Sequence, residues 1–333
     1  MKFSICLPTG LEGLMNPVPF VKADDFVRLG QACEALGYDS AWGNDHITTQ
    51  GYVKARYPDT PPGYWEPLVV LTAVAATTRR IRVGTSLLVL PMRDPVYLAK
   101  QAATLDQLSG GRFVLGVGLG AYREEFEAWN ARLKTAHRGA MMDEGLEALS
   151  KLFTQRSVSH EGTYYAFTDV EMFPKPRREP FALWVGGHNL AMVERAARWG
   201  QGWLPGWRPL EELRDRITLL RERAAALGRD ASGIEVAPQF SLTIAPTFEA
   251  AEARYMRSGL VAHRRSLAYT GRDLGRQVES NLVGSPGVIL EKIARLRAIG
   301  VDHCCALMVP ADTVTEMLEQ MQMFAETVLS RVG

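Results

Sequence analysis

The feature that most constrains the fold is an alternation that runs from one end of the chain to the other. Short apolar runs are each followed by a longer segment whose apolar residues recur three and four apart. A short apolar run bounded by turn residues reads as a buried strand, and the three-and-four spacing as a helix with one apolar face. Strands read at 3–8, 38–42, 81–90, 112–118, 181–187, 202–205, 234–245 and 301–309. Helices read at 20–36, 66–77, 95–108, 138–153, 189–199, 209–227, 287–299 and 312–330, with further helical material over 247–280. Eight such units with no linker and no shift of composition specify an α/β fold, one (β/α)8 TIM barrel over residues 1–333. A doubly wound sheet would carry a phosphate loop after its first strand, and "CLPTGLEG" lacks the GxGxxG spacing. Segments 47–64, 155–180 and 255–281 read as insertions in the barrel.

Of the 333 residues 47% are hydrophobic and 23% charged, which is enough apolar material for one large core. A net charge of +1 offers no basic field for nucleic acid or anionic lipid, so neither is an expected partner. No apolar run reaches the roughly 18 residues of a membrane span, and "MKFSICLPTG" has no signal-peptide pattern. The expectation is a cytoplasmic protein. Cys6, Cys33, Cys304 and Cys305 lack CxxC spacing and read as buried reduced thiols. Neighbours on a strand point to opposite faces, which argues against a bond between Cys304 and Cys305.

Barrel active sites lie at the C-terminal ends of the strands. Most residues at those positions are small or apolar, and the conspicuous polar group is Asp45–His46. The pair either faces the barrel mouth or is a solvated His beside a helix-capping Asp. Two glycine turns share that rim, "GVGLG" with Gly118 and Gly120, and "WVGGHN" with Gly186 and Gly187. Glycine lets the backbone approach a ligand, and the helix that follows each turn offers N–H groups to an anion. A metal site is not expected, because the remaining histidines fall mostly away from the strand ends. No Lys sits within a barrel strand, which weakens a Schiff-base reading.

With these pieces in view, "LGYDSAWGNDH" (36–46), the block from Ile81 to Phe126, "LWVGGHNLAMVERAARWGQGWLP" (183–205) and the segment 283–303 resemble the bacterial-luciferase-like flavin-dependent oxidoreductases. The resemblance implies a (β/α)8 barrel that holds reduced FMN (FMNH2), or coenzyme F420, the deazaflavin, in one branch. It places Thr85, Ser86 and Leu87 along the flavin ring, with a non-prolyl cis peptide near Ser86–Leu87. It places Gly118 and Gly120 beside the ring and Gly186, Gly187 and His188 at the phosphate, with Gly202 and Trp203 of "GQGW" next to it. In that branch's sugar-phosphate dehydrogenases an acid follows the second glycine of the fourth-strand turn. Here that position is Ala121, with Glu124 and Glu125 further along.

The reading that follows is an FMNH2-dependent monooxygenase of a small organic substrate, supplied by a separate flavin reductase. His46 is the candidate acid or base, with Asp45 orienting it, since an imidazole titrates near about 6.5. The alternatives are F420-dependent hydride transfer and a flavin-binding protein without turnover. A homo-oligomer, dimer or tetramer, is expected. Trp207, Arg208, His263 and Arg264 are candidate substrate contacts, the arginines holding an anion or serving as surface charge. Segment 256–277, with Gly259, Tyr269, Gly271 and Gly275, reads either as a mobile cover over the site or as a solvated helix pair.

Overall fold

The computed structural model describes residues 1–266 and 273–332. Eight parallel strands form the expected ring. Lys2–Leu7 pairs with Ser40–Gly43 on one side and His303–Met308 on the other. From Ser40–Gly43 the order runs through Arg82–Thr85, Phe113–Gly118 and Leu183–Gly186 to Gly202–Leu204. Closure depends on the seventh strand, which the sequence reads as one run over 234–245. It is two short strands, Glu235–Val236 against the sixth and Gln239–Ile244 against the eighth. Between them Ala237 and Gln239 donate N–H bonds to the carbonyls of Trp203 and Pro205. The break lets one segment serve both neighbours, so neither edge is left unpaired.

Residues of one strand alternate between two packing layers, as the two-residue strand period requires. Phe3, Ile5 and Leu7 face the surrounding helices, together with Phe113, Leu115, Val117, Leu183 and Val185. Cys6, Trp42, Val114, Trp184 and Cys305 fill the barrel interior. The two tryptophans fit because glycines stand opposite them. A Cβ on Gly84 would lie 2.5 Å from the Trp42 ring, and one on Gly202 would lie 2.5 Å from the Trp184 ring. All four cysteines are buried and free, and burial pushes the Cys6 thiol up to about 12.

Beneath these rings a charged plug closes the N-terminal end of the barrel. His303 Nε2 lies 2.8 Å from Ser4 Oγ and its Nδ1 3.2 Å from Glu235. Arg82 joins Glu235 and Asp39. Burial lowers the His303 pKa. Burial alone would raise that of Glu235, but His303 and Arg82 beside the carboxylate outweigh it and hold it far below the usual carboxylate range.

The other differences from the sequence reading lie on the outside or at the strand ends. The third strand stops at a cis Ser86–Leu87 peptide and resumes as Leu88–Val89. Segment 155–180 holds an antiparallel hairpin, Val158–Glu161 with Ala166–Val170. Leu282–Gly284, where no element was read, adds a strand beside Leu242–Ile244. The loop after the second strand contains a short helix, Gly51–Arg56. The long helices fall close to their expected spans, as with Pro95–Leu108, which Asp94 caps through the Val96 and Tyr97 amides. Among the described residues no helix is long and apolar enough to cross a membrane.

Candidate active site

A cavity of about 580 Å³ opens at the C-terminal ends of the strands. Cys6, Leu204, Gln239 and Met308 line it from the strands themselves, and Ser86 and Leu87 from the break in the third strand. Leu87 stands on the inward turn made at the cis peptide, and glycines make room for it. A Cβ on Gly186 would come within 2.2 Å of Leu87 Cδ1, and one on Gly118 within 2.7 Å. These glycines were expected to bring backbone close to a ligand. Both make space for Leu87; Gly186 also lines the cavity, whereas Gly118 does not.

His46 lies on the cavity wall as expected, but Asp45 does not orient it. The Asp45 carboxylate accepts from the Val89 amide at 3.0 Å and from Arg93 Nη2 at 2.8 Å, tying the second strand's end to the third. Glu125, whose side chain is 5% exposed, meets His46 Nδ1 at 2.7 Å. The same carboxylate accepts from Gln50 Nε2 and from the Ile47 amide. Tyr64 donates to Gln50 Oε1 at 2.8 Å. Burial raises the pKa of the Tyr64 hydroxyl, keeping it a donor there. Asn44 bonds the Thr9 hydroxyl through its own backbone and side chain, and its side-chain amide bonds both backbone groups of Gly10, joining the ends of the first two strands.

At the opposite end lie Gly186, Gly187, His188 and Asn189, together with Arg138. Gly187 takes φ +116°, a region that favours glycine. Asn189 caps the helix Leu190–Trp199 through the Met192 amide. Arg138 donates to the Gly120 carbonyl at 3.1 Å, bracing the turn after the fourth strand. Trp203 supports the site from behind, since its Nε1 donates to the Gly187 carbonyl at 2.8 Å. Gly202 faces Trp184, and Thr85 Oγ1 pairs with the backbone of Gly116. Thr85, Gly118, Gly202 and Trp203 therefore support the cavity wall without lining it.

Over the mouth lies the helix Gly259–Ser266, with Leu260, His263 and Arg264 on the wall. His263 Nδ1 is 3.0 Å from Tyr52 OH and 3.3 Å from Tyr122 OH, and Ser266 Oγ is 3.1 Å from Tyr122 OH. Arg264 is no surface charge. It is 2% exposed, stacks on Trp207 with its guanidinium carbon 4.8 Å from the ring centre, and donates to Ser241, Tyr255 and Asn281. Trp207 lines the cavity, whereas Arg208 turns away from it toward Glu212 at 3.4 Å. Arg208 borders a separate small cleft with Lys292. Tyr269 and Gly271 of the expected cover lie outside the described residues.

Sequence reasoning did not single out Gln50, Tyr64, Tyr122 or Arg138, and it noted Glu125 only in passing. A signal for Glu125 was present. In "YREEFEAW" it falls three residues after Tyr122 and four before Trp129, on the stripe that Phe126 buries.

The model of the luciferase-like monooxygenase family matches residues 1–303. The F420-dependent glucose-6-phosphate dehydrogenase of Segniliparus rotundus is 31% identical over 226 residues, 67% of this chain and 65% of that protein. The FMNH2-dependent dimethylsulfone monooxygenase of Pseudomonas putida is 26% identical over 309 residues, 83% of this chain and 80% of that one. Among solved structures, the monooxygenase RslO1 from Streptomyces bottropensis superposes with a TM-score of 0.79 at 25% identity, covering 100% of both chains.

Proposed function

Because the chain belongs to the luciferase-like monooxygenase family, we propose that it uses reduced FMN to oxygenate a small organic substrate. The observation that carries this reading is His46 on the wall of the same cavity as the Ser86–Leu87 turn, with its Nδ1 engaged by Glu125. A protein that only bound flavin would have no need of an imidazole held in one orientation.

The cavity fits such a cofactor by its two unlike ends. Leu87, Val89, Leu119 and Leu204 make an apolar wall suited to a flat ring, and Arg138, His188 and the capped helix start suit an anionic phosphate. Reduced flavin, when bound, supplies the electrons and the activation of oxygen. The chain's own part is placement, a dry site and proton control. Leu11, Leu14, Met15 and Leu260 shield the cavity from water. His46 accepts or returns a proton at Nε2 while Glu125 keeps Nδ1 occupied. The helix Gly259–Ser266 acts as the cover, fastened by His263 to Tyr52 and Tyr122. A separate reductase supplies the reduced flavin, a reading supported by the similarity to the FMNH2-dependent monooxygenase of Pseudomonas putida.

Hydride transfer with coenzyme F420 is the second reading, favoured by the similarity to the Segniliparus dehydrogenase. Against it stands Ala121 on the cavity wall, a methyl group at the position where those sugar-phosphate dehydrogenases are expected to carry an acid. Anaerobic titration of the apoprotein with reduced FMN and, separately, with reduced F420 distinguishes the two. Preference for reduced FMN by about tenfold or more, roughly 1.4 kcal/mol, supports the first reading. The opposite preference moves the protein to the second.

A further inference from the structure

We propose that Glu125 is a positioning residue that fixes the tautomer of His46, directing the imidazole's basic nitrogen, Nε2, away from the carboxylate for proton transfer. This inference rests on the reading of His46 as the proton-transfer group. It assigns a role to a residue on the fourth-strand side of the cavity, in the helix Arg123–Trp129.

The chemistry of the donors decides which nitrogen carries the proton. An ionised carboxylate can only accept, so the 2.7 Å contact places a hydrogen on His46 Nδ1. Gln50 Nε2 lies 3.0 Å from the same Nδ1 and within bonding reach of the same Glu125 oxygen. Two N–H groups cannot bond each other, so both point at the carboxylate. Tyr64 OH, 2.8 Å from Gln50 Oε1, holds the amide in the orientation that keeps its NH2 turned inward. Two donors thus share one acceptor oxygen, and the charge of Glu125 is what keeps Nδ1 a donor. With that charge gone, Gln50 can donate to Nδ1, and the proton moves to Nε2. The imidazole would then present an N–H where its lone pair had been, and could not act as a base from that atom.

The test reads the tautomer directly and needs neither flavin nor substrate. Histidine ring ¹⁵N resonances are recorded on the apoprotein at about pH 9, where an ordinary imidazole is neutral. The His46 signals are assigned by their loss in His46→Ala. The expected result is an Nδ1-protonated His46 in the wild type and in Gln50→Leu, which removes the other donor, and an Nε2-protonated His46 in Glu125→Gln. An Nε2-protonated wild type, or an Nδ1-protonated Glu125→Gln, overturns the proposal. If Glu125→Gln does not fold, the wild-type and Gln50→Leu spectra decide, and an Nε2-protonated ring in either overturns it. Failure of the functional reading looks different. Full turnover in His46→Ala would remove His46 from the chemistry while leaving the tautomer result as measured.

Discussion

Gly186→Ala adds one methyl group at the point where the site is most tightly built. The new Cβ would lie 2.2 Å from Leu87 Cδ1, 2.4 Å from Cδ2 and 2.8 Å from Cγ, so it meets the whole end of that side chain. Leu87 cannot retreat toward the fourth strand, because Gly118 already approaches it so closely that a Cβ there would sit 2.7 Å away. The remaining direction is into the cavity. Gly186 has no positive φ, so alanine suits its backbone and the effect is steric alone. Overpacking of this kind costs about 1–3 kcal/mol. Part of that appears as a lower thermal midpoint by circular dichroism. The rest appears as weaker binding of reduced FMN, by about tenfold for each 1.4 kcal/mol of intrusion. Anaerobic fluorescence titration measures the second quantity. Adding Leu87→Ala should restore affinity, since it removes the group that was pushed. A folded Gly186→Ala with wild-type affinity and midpoint, or a double variant no better than the single, would refute the steric reasoning.

Other perturbations probe the two ends of the cavity and the plug beneath it. Arg138→Ala should weaken reduced FMN by about tenfold and leave reduced riboflavin, which lacks the phosphate, within a few-fold. His46→Ala should keep flavin affinity within a few-fold and lower turnover by roughly 10²–10⁴. Arg264→Ala should lower the unfolding midpoint, because it removes a buried cation stacked on Trp207 together with the hydrogen bonds it donates to Ser241, Tyr255 and Asn281. A change in KM with no loss of stability would contradict that role. The barrel plug sets the pH dependence of stability. His303 has a folded pKa below its unfolded value, so the unfolded chain binds more protons once the pH drops under about 6.5. Stability should fall on acidification from there, by up to about 1.4 kcal/mol per pH unit for one group. The depressed Glu235 adds a further loss below the ordinary carboxylate range. Midpoints of wild type and His303→Asn between pH 8 and 5 check this, the variant giving the flatter curve.

The barrel was legible because strand and helix periods differ, and because eight alternations leave few other architectures. What escaped were features set by contacts far apart in the chain. The division of the seventh strand follows from its two neighbours, Gly202–Leu204 and His303–Met308, which no local pattern in 234–245 reveals. The polar pair at 45–46 was visible, but its division of labour was not. Asp45 reaches Arg93 and His46 reaches Glu125, 48 and 79 residues away. Adjacency in sequence suggested a dyad, whereas consecutive residues at a strand's end point in different directions. Arg264, named as a candidate substrate contact, does stand on the cavity wall, but its burial was not legible, because nothing in the basic run "HRR" shows which cation the helix turns inward over Trp207.

The most direct measurement is a crystal structure of the protein bound to FMN. The expected result is the flavin ring in the cavity between Leu87 and His46, with its phosphate among Arg138, Gly187 and His188. Flavin bound outside this cavity, or with its phosphate at the His46 end, would contradict the assignment of the site.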